Sequence, residues 1–489
     1  MGLPPGVVDP AAAGLGERGA QLRAYALARE WIDHQLVRER PRRRDLAAKV
    51  AAARSFYAAL GDPQRAFPAV QVAGTSGKGS VVALLAHALR AAGLRVGRHV
   101  SPYLQAHTER TWIDGRYLSG VELLAHAEAL RPHVEPLSRD PEYPASLHLL
   151  AALGVTWRAF AAAGLDVAVV ETSCGGRFDL VRELDLRLAV ISELGLDHED
   201  QLGPGLEQIA WHKAGIMAPG RPCVAVRGAG AEVLAREAAA IGAELVWVEP
   251  ERAAGAVRAD ERGVELSLAL PHLGPVALRL PGAGAYQVRN AALAATALDV
   301  LAGQGWPLRA CDLQAGFALP LLPGRFELLP GAPRVLLDGA HNPQKLAALA
   351  GALPAGLLGP GGGGPLVVVA GGTGERDPAA LARALAPAAA HLVATAPQGL
   401  FGKQPLPPAA LAAAARAEGL PASQVEHPLE ALDQALELAG PQGTVLVTGS
   451  LYLVGEVRER WIPRDTVVLQ RTSWPIQGQG DSLLTADAS

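Results

Sequence analysis

The chain has 489 residues, of which 49% are hydrophobic and 19% charged, with a formal net charge of −4. That length suits two or three domains of roughly 100–200 residues each. The apolar share excludes global disorder, and the charge balance argues against a dedicated nucleic-acid binder, which carries a concentrated basic excess. Cys174, Cys223 and Cys311 lie far apart and are odd in number. They form neither a disulfide framework nor a zinc spacing, which fits a reducing cytoplasm. The first residues lack the basic-then-apolar layout of a signal peptide, and no apolar run reaches the ~18 residues of a membrane span. A soluble cytoplasmic protein with no membrane partner is expected.

Only five lysines occur, Lys49, Lys78, Lys213, Lys345 and Lys403, and arginine supplies the rest of the 44 basic residues. The bland cause is a GC-rich genome. Lysines kept in chemically suggestive settings still attract attention, and Lys78 and Lys213 stand in such settings.

Residues 1–20, rich in Gly, Ala and Pro, are expected to be disordered. A helical stretch follows, carrying the basic cluster Arg38, Arg40, Arg42, Arg43 and Arg44. This reads as a solvated face or as a patch near an anionic substrate. From residue 69 the pattern is strand (Ala69 to Ala73), glycine turn (GTSGKGS), then an apolar-faced helix ending at Gly93. Buried-strand candidates continue at 166–171 and 186–194. Strands alternating with helices predict a parallel sheet with ligands at the strand carboxyl ends.

A Pro- and Gly-dense break at 319–333 precedes a second α/β series, with strand candidates in 334–341, 365–372, 391–397 and 444–450. The fold class expected is therefore α/β: a P-loop-containing parallel-sheet ATPase domain over 21–322, then a smaller Rossmann-like domain over 323–464. Residues 356–365 read as a flexible loop and 465–489 as a flexible tail. The loop GGTGERD (371–377) lacks the full dinucleotide spacing and reads as a plain strand-to-helix turn.

The strongest chemical signal is Gly74-Thr75-Ser76-Gly77-Lys78-Gly79-Ser80. Glycines let successive backbone N–H groups converge on phosphate oxygens, and the helix N-terminus adds partial positive charge. Lys78 is placed for the β/γ-phosphates of ATP. The general G-x-x-x-x-G-K-[ST] pattern is incomplete, with Val72 at its first glycine and Gly79 at its Ser/Thr position. The competing reading is a glycine turn that merely opens a helix.

The spacing G-T-[SN]-G-K-G-[ST] resembles the Mur ligase superfamily, and within it the folylpolyglutamate synthase/dihydrofolate synthase branch. Further motifs agree in order: SPYLQAHTER (101–110), ETSCGGRFD (171–179), GLDHEDQLG (195–203), IAWHKAGI (209–216), Gln287-x-x-Asn290, PGRFE (323–327), DGAHNP (338–343) and GSLYLVGEVR (449–458). Only 73 residues precede Gly74, too few for the UDP-sugar domain of the cell-wall enzymes.

The resemblance implies an ATP-dependent, ADP-forming ligase of folate biosynthesis and one-carbon metabolism. It would join L-glutamate to a pterin acid, dihydropteroate or a reduced folate. It implies Mg2+ held by Ser101, Glu171 and His198, although a strand-end glutamate and a surface histidine are the plain readings of the last two. Lys213 lies in a mostly apolar helix. It is either a snorkelling lysine or, as in related ligases, a carbamylated one that turns a cation into an anionic magnesium ligand. The catalytic set implied is Lys78, Lys213, His198 and His341.

ATP contacts would come from the glycine loop, Asn290, Arg325 and Asp338. Asp338 and His341 taken alone could be only a strand-end turn. Phe178 and Asp179 fall at the implied substrate pocket, and family habit implies a monomer. The chain departs from the family there. The family's E-V-G-L-G-G-R-L-D-A-T-N ends here in Leu180-Val181-Arg182, and its Phe-Glu pair is missing from Pro144-Ala145-Ser146-Leu147-His148. His212 also stands where the family has Glu. Two alternatives stay open: the same chemistry on a non-folate acid, and a non-catalytic nucleotide-binding homologue.

Overall fold

A computed structural model describes residues 16–37, 45–249, 254–260, 263–282, 284, 286–353, 364–400 and 403–475. The arginine cluster at 38–44, most of the glycine-rich loop at 356–365 and residues 476–489 lie outside the described residues.

Among the described residues, the first sheet has eight strands: β1 (Pro68–Ala73), β2 (Val96–His99), β3 (Thr111–Ile113), β4 (Arg116–Tyr117), β5 (Val167–Glu171), β6 (Asp185–Ile191), β7 (Pro222–Val226) and β8 (Glu244–Val248). Their order is β4-β3-β2-β5-β1-β6-β7-β8. The strands from β2 to β8 in that order pair in parallel, and β3 and β4 add an antiparallel edge. Parallel strands are covered on both faces and so read as continuous apolar runs. β5 is buried at every residue and β1 at all but its first.

β1 is central, and the glycine loop leaves its carboxyl end. Val72 pairs with Glu171, so the last residue of β5 lies beside that loop. The helix Lys78–Ala91 is buried continuously from Gly79 to Leu89. A meander of β9 (Ala254–Asp260), β10 (Gly263–Leu270) and β11 (Gly274–Pro281) follows. In β10 Val264, Leu266, Leu268 and Leu270 are buried while the residues between them are exposed, the period-2 pattern of a one-sided sheet.

The second sheet holds β12 (Glu327–Leu329), β13 (Arg334–Leu337), β14 (Leu366–Ala370), β15 (His391–Ala394), β16 (Ala422–Gln424) and β17 (Thr444–Thr448). Their order is β12-β13-β17-β14-β15-β16, parallel apart from β12. Alternate residues feed separate cores on its two faces. Leu336, Val368, Leu392 and Leu446 go to one, and Val335, Val367, Val393 and Val445 to the other.

Both chain ends correct the reading from sequence. Residues 17–20 open the helix Glu17–Arg29, with Ala20 buried. The expected tail is ordered through residue 475: helix Arg464–Gln470 sends Val467 and Val468 into the core of the first sheet's domain. The fully buried Arg458 guanidinium explains the anchoring. It donates to Glu327 Oε1 at 2.9 Å, to Gln105 Oε1 at 2.6 Å and to the Ser473 carbonyl at 2.7 Å. Ser473 Oγ then donates to Glu109 Oε1 at 2.7 Å and lies 3.0 Å from the Tyr117 hydroxyl. Small polar residues look like a tail in sequence, but here Ser473 has buried partners at both its carbonyl and its hydroxyl. The chain thus passes to the second sheet between 318 and 326 and returns to the first domain between 459 and 463.

Candidate active site

The glycine loop owes its shape to close contacts. Gly74 and Gly77 have φ of 146° and 84°, and a Cβ on either would run into Ser192 Oγ or the Asn290 amide oxygen respectively. Only glycine fits these two positions. Thr75 and Ser76 donate their backbone N–H groups to the Glu193 carbonyl at 2.9 and 3.2 Å, which ties the loop to the end of β6. The helix from Lys78 then presents its first N–H groups at the mouth of a cleft of about 1220 Å³. Ser76 Oγ is buried with no protein partner, a donor suited to an anionic ligand. The expectation of a nucleotide loop therefore fits this local structure.

Asn290 closes over the loop from helix Gln287–Gly303. Its Nδ2 donates to Gln287 Oε1 at 2.7 Å, and Gln287 Nε2 donates to Ser80 Oγ at 3.1 Å. Arg325 and Asp338 line the same cleft from the second domain. The Asp338 carboxylate accepts from Tyr286 OH at 2.8 Å, the Phe326 N–H at 2.9 Å and the Ala340 N–H at 2.8 Å. Much of its hydrogen-bonding capacity thus organises the strand-end turn.

Two lysines meet at one backbone atom. Lys213 Nζ donates to the Gly74 carbonyl at 2.8 Å and Lys78 Nζ donates to the same oxygen at 3.1 Å. Burial, helped by the Lys78 charge, pulls the Lys213 ammonium down to about 7. Lys213 is 4% exposed, so the snorkelling alternative fails. Glu171 Oε1 lies 4.0 Å from Lys78 Nζ, and its Oε2 accepts the Ser101 N–H at 3.2 Å. Burial pushes the Glu171 carboxyl up, against the pull of Lys78.

Ser101 Oγ accepts from Arg110 Nη1 at 3.2 Å. His198 lines the cleft in the left-handed region at φ 56°, a conformation costing about 1–3 kcal/mol in a non-glycine residue. Burial pulls its imidazole down to about 4, so it is neutral near pH 7 and has a lone pair to give.

This donor set bears on a divalent cation. Among the described residues no group of three or more His, Cys, Asp and Glu gathers as a metal cage. Magnesium, however, uses one or two carboxylates together with substrate phosphates. A buried carboxylate and a hydroxyl beside the phosphate loop meet that requirement.

Phe178 and Asp179 both line the cleft but differ in kind. The Phe178 ring packs 6.0 Å from Trp211 and 5.6 Å from His212, between centroids. Asp179 is buried and accepts the Cys174 and Val181 N–H groups at 2.9 Å each, which makes it the internal brace of its loop. Arg182, where the family has Asn, donates to the Arg177 carbonyl and holds the same loop from outside.

A cluster missed by the sequence reading joins the two domains. The Asp197 carboxylate, from the first domain, accepts from Arg376 Nη1 at 3.0 Å and Asn342 Nδ2 at 3.1 Å. Lys345 Nζ lies 3.5 Å away and His341 Nε2 3.7 Å away. Burial works to raise the Asp197 carboxyl, but His341 and Lys345 outweigh it and hold it well below the usual range. His341, pulled down to about 3 by burial, places Nδ1 3.0 Å from the Gly339 carbonyl and Nε2 3.1 Å from Lys345 Nζ. The loop carrying Arg376 does turn strand into helix, as expected, and also bridges the domains. One signal was available: Lys345 is among the five lysines. Four of those five line the cleft, and Lys213 is bonded to its rim.

Comparison with known proteins places this geometry. The Mur ligase middle domain matches residues 72–298, and the Mur ligase glutamate ligase domain matches residues 324–451. A folylpolyglutamate synthase of Lacticaseibacillus casei is 32% identical over 409 residues, covering 82% of this chain and 91% of that protein. The chain belongs to the folylpolyglutamate synthase/dihydrofolate synthase family. A dihydrofolate synthase/folylpolyglutamate synthase of Mycobacterium tuberculosis is 36% identical over 310 residues, 60% of this chain and 63% of that protein. A solved structure of M. tuberculosis folylpolyglutamate synthase complexed with ADP superposes with a TM-score of 0.79 at 29% identity. It covers 89% of this chain and 98% of that one. The mixed α/β architecture, with a nucleotide-binding first domain and a parallel sheet in the second, is the fold of these enzymes. Among the described residues no helix is long and apolar enough to cross a membrane.

Proposed function

We propose that the protein is an ATP-dependent, ADP-forming ligase that joins a pterin acid, dihydropteroate or a reduced folate, to L-glutamate. The observation that carries this reading is the meeting of Lys78 and Lys213 on the Gly74 carbonyl beside Glu171, in a cleft also lined by the second domain. A carboxylate has no good leaving group, so it must be activated before an amine can attack. An acid carboxylate oxygen bonds to the γ-phosphorus of ATP as the bond to the β–γ bridging oxygen breaks, and the electron pair leaves with ADP. The amine nitrogen of glutamate then bonds to the acyl carbon, loses its proton, and phosphate departs.

The protein contributes positioning and charge. Lys78 and the loop N–H groups hold the phosphates. Arg325, Asn290 and Asp338 border the nucleotide from the second domain and the covering helix. Glu171, Ser101 and His198 would hold Mg2+, which when bound neutralises phosphate charge. Lys213, buried and depressed toward neutrality, suits carbamylation: its uncharged amine adds to carbon dioxide and releases a proton. His341 would lie near the reacting phosphate. Closure of the two domains precedes chemistry, and the enzyme works as a cytoplasmic monomer.

One specific set of observations favours a second reading, the same chemistry on a non-folate acid. Arg182, His148 and His212 depart from the family pattern where the acid should bind, while the nucleotide loop is nearly intact. ADP release with glutamate and a panel of acids including dihydropteroate and tetrahydrofolate tests both. Turnover with a pterin acid is expected; turnover only with another acid would select the second reading. Lys213→Ala should abolish that turnover, and unchanged ADP formation with every acid would sink its role.

A further inference from the structure

Lys345 is the cation of this cleft whose position is hardest to explain by folding alone. The chain uses lysine five times in all. Lys345 occupies the third position of helix Pro343–Ala352, behind the N-cap Asn342. A cation there opposes the positive end of the helix dipole. Its side chain is 19% exposed, so solvent does little to relieve the charge. It has one carboxylate partner, Asp197, which must also serve Arg376 at 3.0 Å and Asn342 at 3.1 Å. Lys78, Arg325 and Arg376 all act on Lys345 as like charges, and Lys345 in turn acts on Glu171 beside the phosphate loop. A second-domain cation is thus held within electrostatic range of the lysine that reaches for the β/γ-phosphates. The local excess of positive charge suits a further anion.

We propose that Lys345 contacts the phosphoryl group being transferred, as a catalytic cation supplied by the second domain. The proposal rests on the ATP-driven ligase reading above. In that step the γ-phosphorus gains a bond to the acid oxygen and loses its bond to the ADP oxygen, while its equatorial oxygens carry the charge. Lys345, from the second domain, neutralises part of that charge. Asp197 and the Asn342 cap fix its position, and His341, 3.1 Å away, keeps Nζ directed into the cleft.

The test compares a non-hydrolysable ATP analogue, AMPPCP, with ADP by titration calorimetry on the full chain and on Lys345→Met and Lys345→Arg. Losing one charge-assisted contact to the terminal phosphate should weaken AMPPCP by about 10- to 100-fold. ADP binding should stay within about twofold, which also shows that the variant is folded, and Lys345→Arg should recover most of the loss. In the ADP-release assay kcat should fall by a similar factor, with the KM for glutamate unchanged. Equal weakening of AMPPCP and ADP, no weakening of either, or a change confined to the glutamate KM would overturn the assignment. The last result would make Lys345 a partner of the amine's carboxylate. If the unaltered protein turned over no pterin acid, the folate reading would fail, and the AMPPCP-to-ADP ratio would still decide Lys345.

Discussion

The two walls of the cleft differ in how they are made. The nucleotide wall is backbone and charge: a glycine loop, helix N-termini, and cations held on carbonyls and carboxylates at 2.8–3.1 Å. A second part of the lining is side-chain surface. It draws Leu46, Tyr143, Leu147, Leu153 and Phe178 from two helices and two loops. A phosphate needs donors at fixed points, so few residues satisfy the first wall. An apolar wall needs only volume and shape, which many sequences supply. His148 and His212, at two places where the sequence departs from the family pattern it resembles, also line the cleft.

The largest effect should come from the first wall. Lys78→Ala removes the cation proposed to hold the phosphates, and ADP release should fall by about 100-fold or more, the scale of losing one charge-stabilising donor. The melting temperature should change little. Retention of more than a tenth of the activity would show that this wall tolerates change as the other does.

Next comes Gly77→Ala. It forces a Cβ into Asn290 at φ 84°, and strain of about 1–3 kcal/mol should weaken nucleotide binding by about 5- to 150-fold. Calorimetry with ADP reads it directly.

On the second wall a smaller, selective effect is expected. Phe178→Ala forfeits ring contacts with Trp211 and His212, each worth about 0.5–1.5 kcal/mol. The KM of the acid substrate should rise roughly tenfold with the KM of ATP unchanged. An equal rise in both would erase the division between the walls.

The smallest effect is on stability against pH. Burial pulls Lys345 down to about 7, and Lys213 likewise while its amine is uncarbamylated. Between about pH 7 and 9 these two amines bind more protons in the unfolded chain than in the folded one, and their contribution to stability rises with pH. Lys345→Met should flatten that rise in urea midpoints measured at pH 7 and 9. A rise that Lys345→Met leaves unchanged would contradict the burial of that amine.

The same division explains what could be read from sequence. β1, the glycine loop and its helix were legible because strand, turn and helix are contiguous and each has a local signature. Lys213 was legible as a lysine among apolar neighbours. Asp197, Lys345 and Arg376 were not, because their meaning lies in one another and they come from two loops and the first turn of a helix, far apart in the chain. Asp179 sat within a recognised motif, yet its carboxylate serves its own loop, a distinction that only hydrogen-bond geometry makes. Residues 465–475 misled because Thr472 and Ser473 are ordinary tail residues until Arg458 and Glu109 are placed around them.

That returning segment limits how the two halves can move. A body tied to another by a single strand can swing about three axes. The second domain is tied by two crossings, at 318–326 and 459–463, and the second is clamped by Arg458 and Ser473. Two fixed points leave one easy rotation, about the line that joins them. Opening and closing of the cleft then becomes motion along a single coordinate. The closure proposed above would then bring Lys345, His341 and Arg376 to Asp197 by the same path.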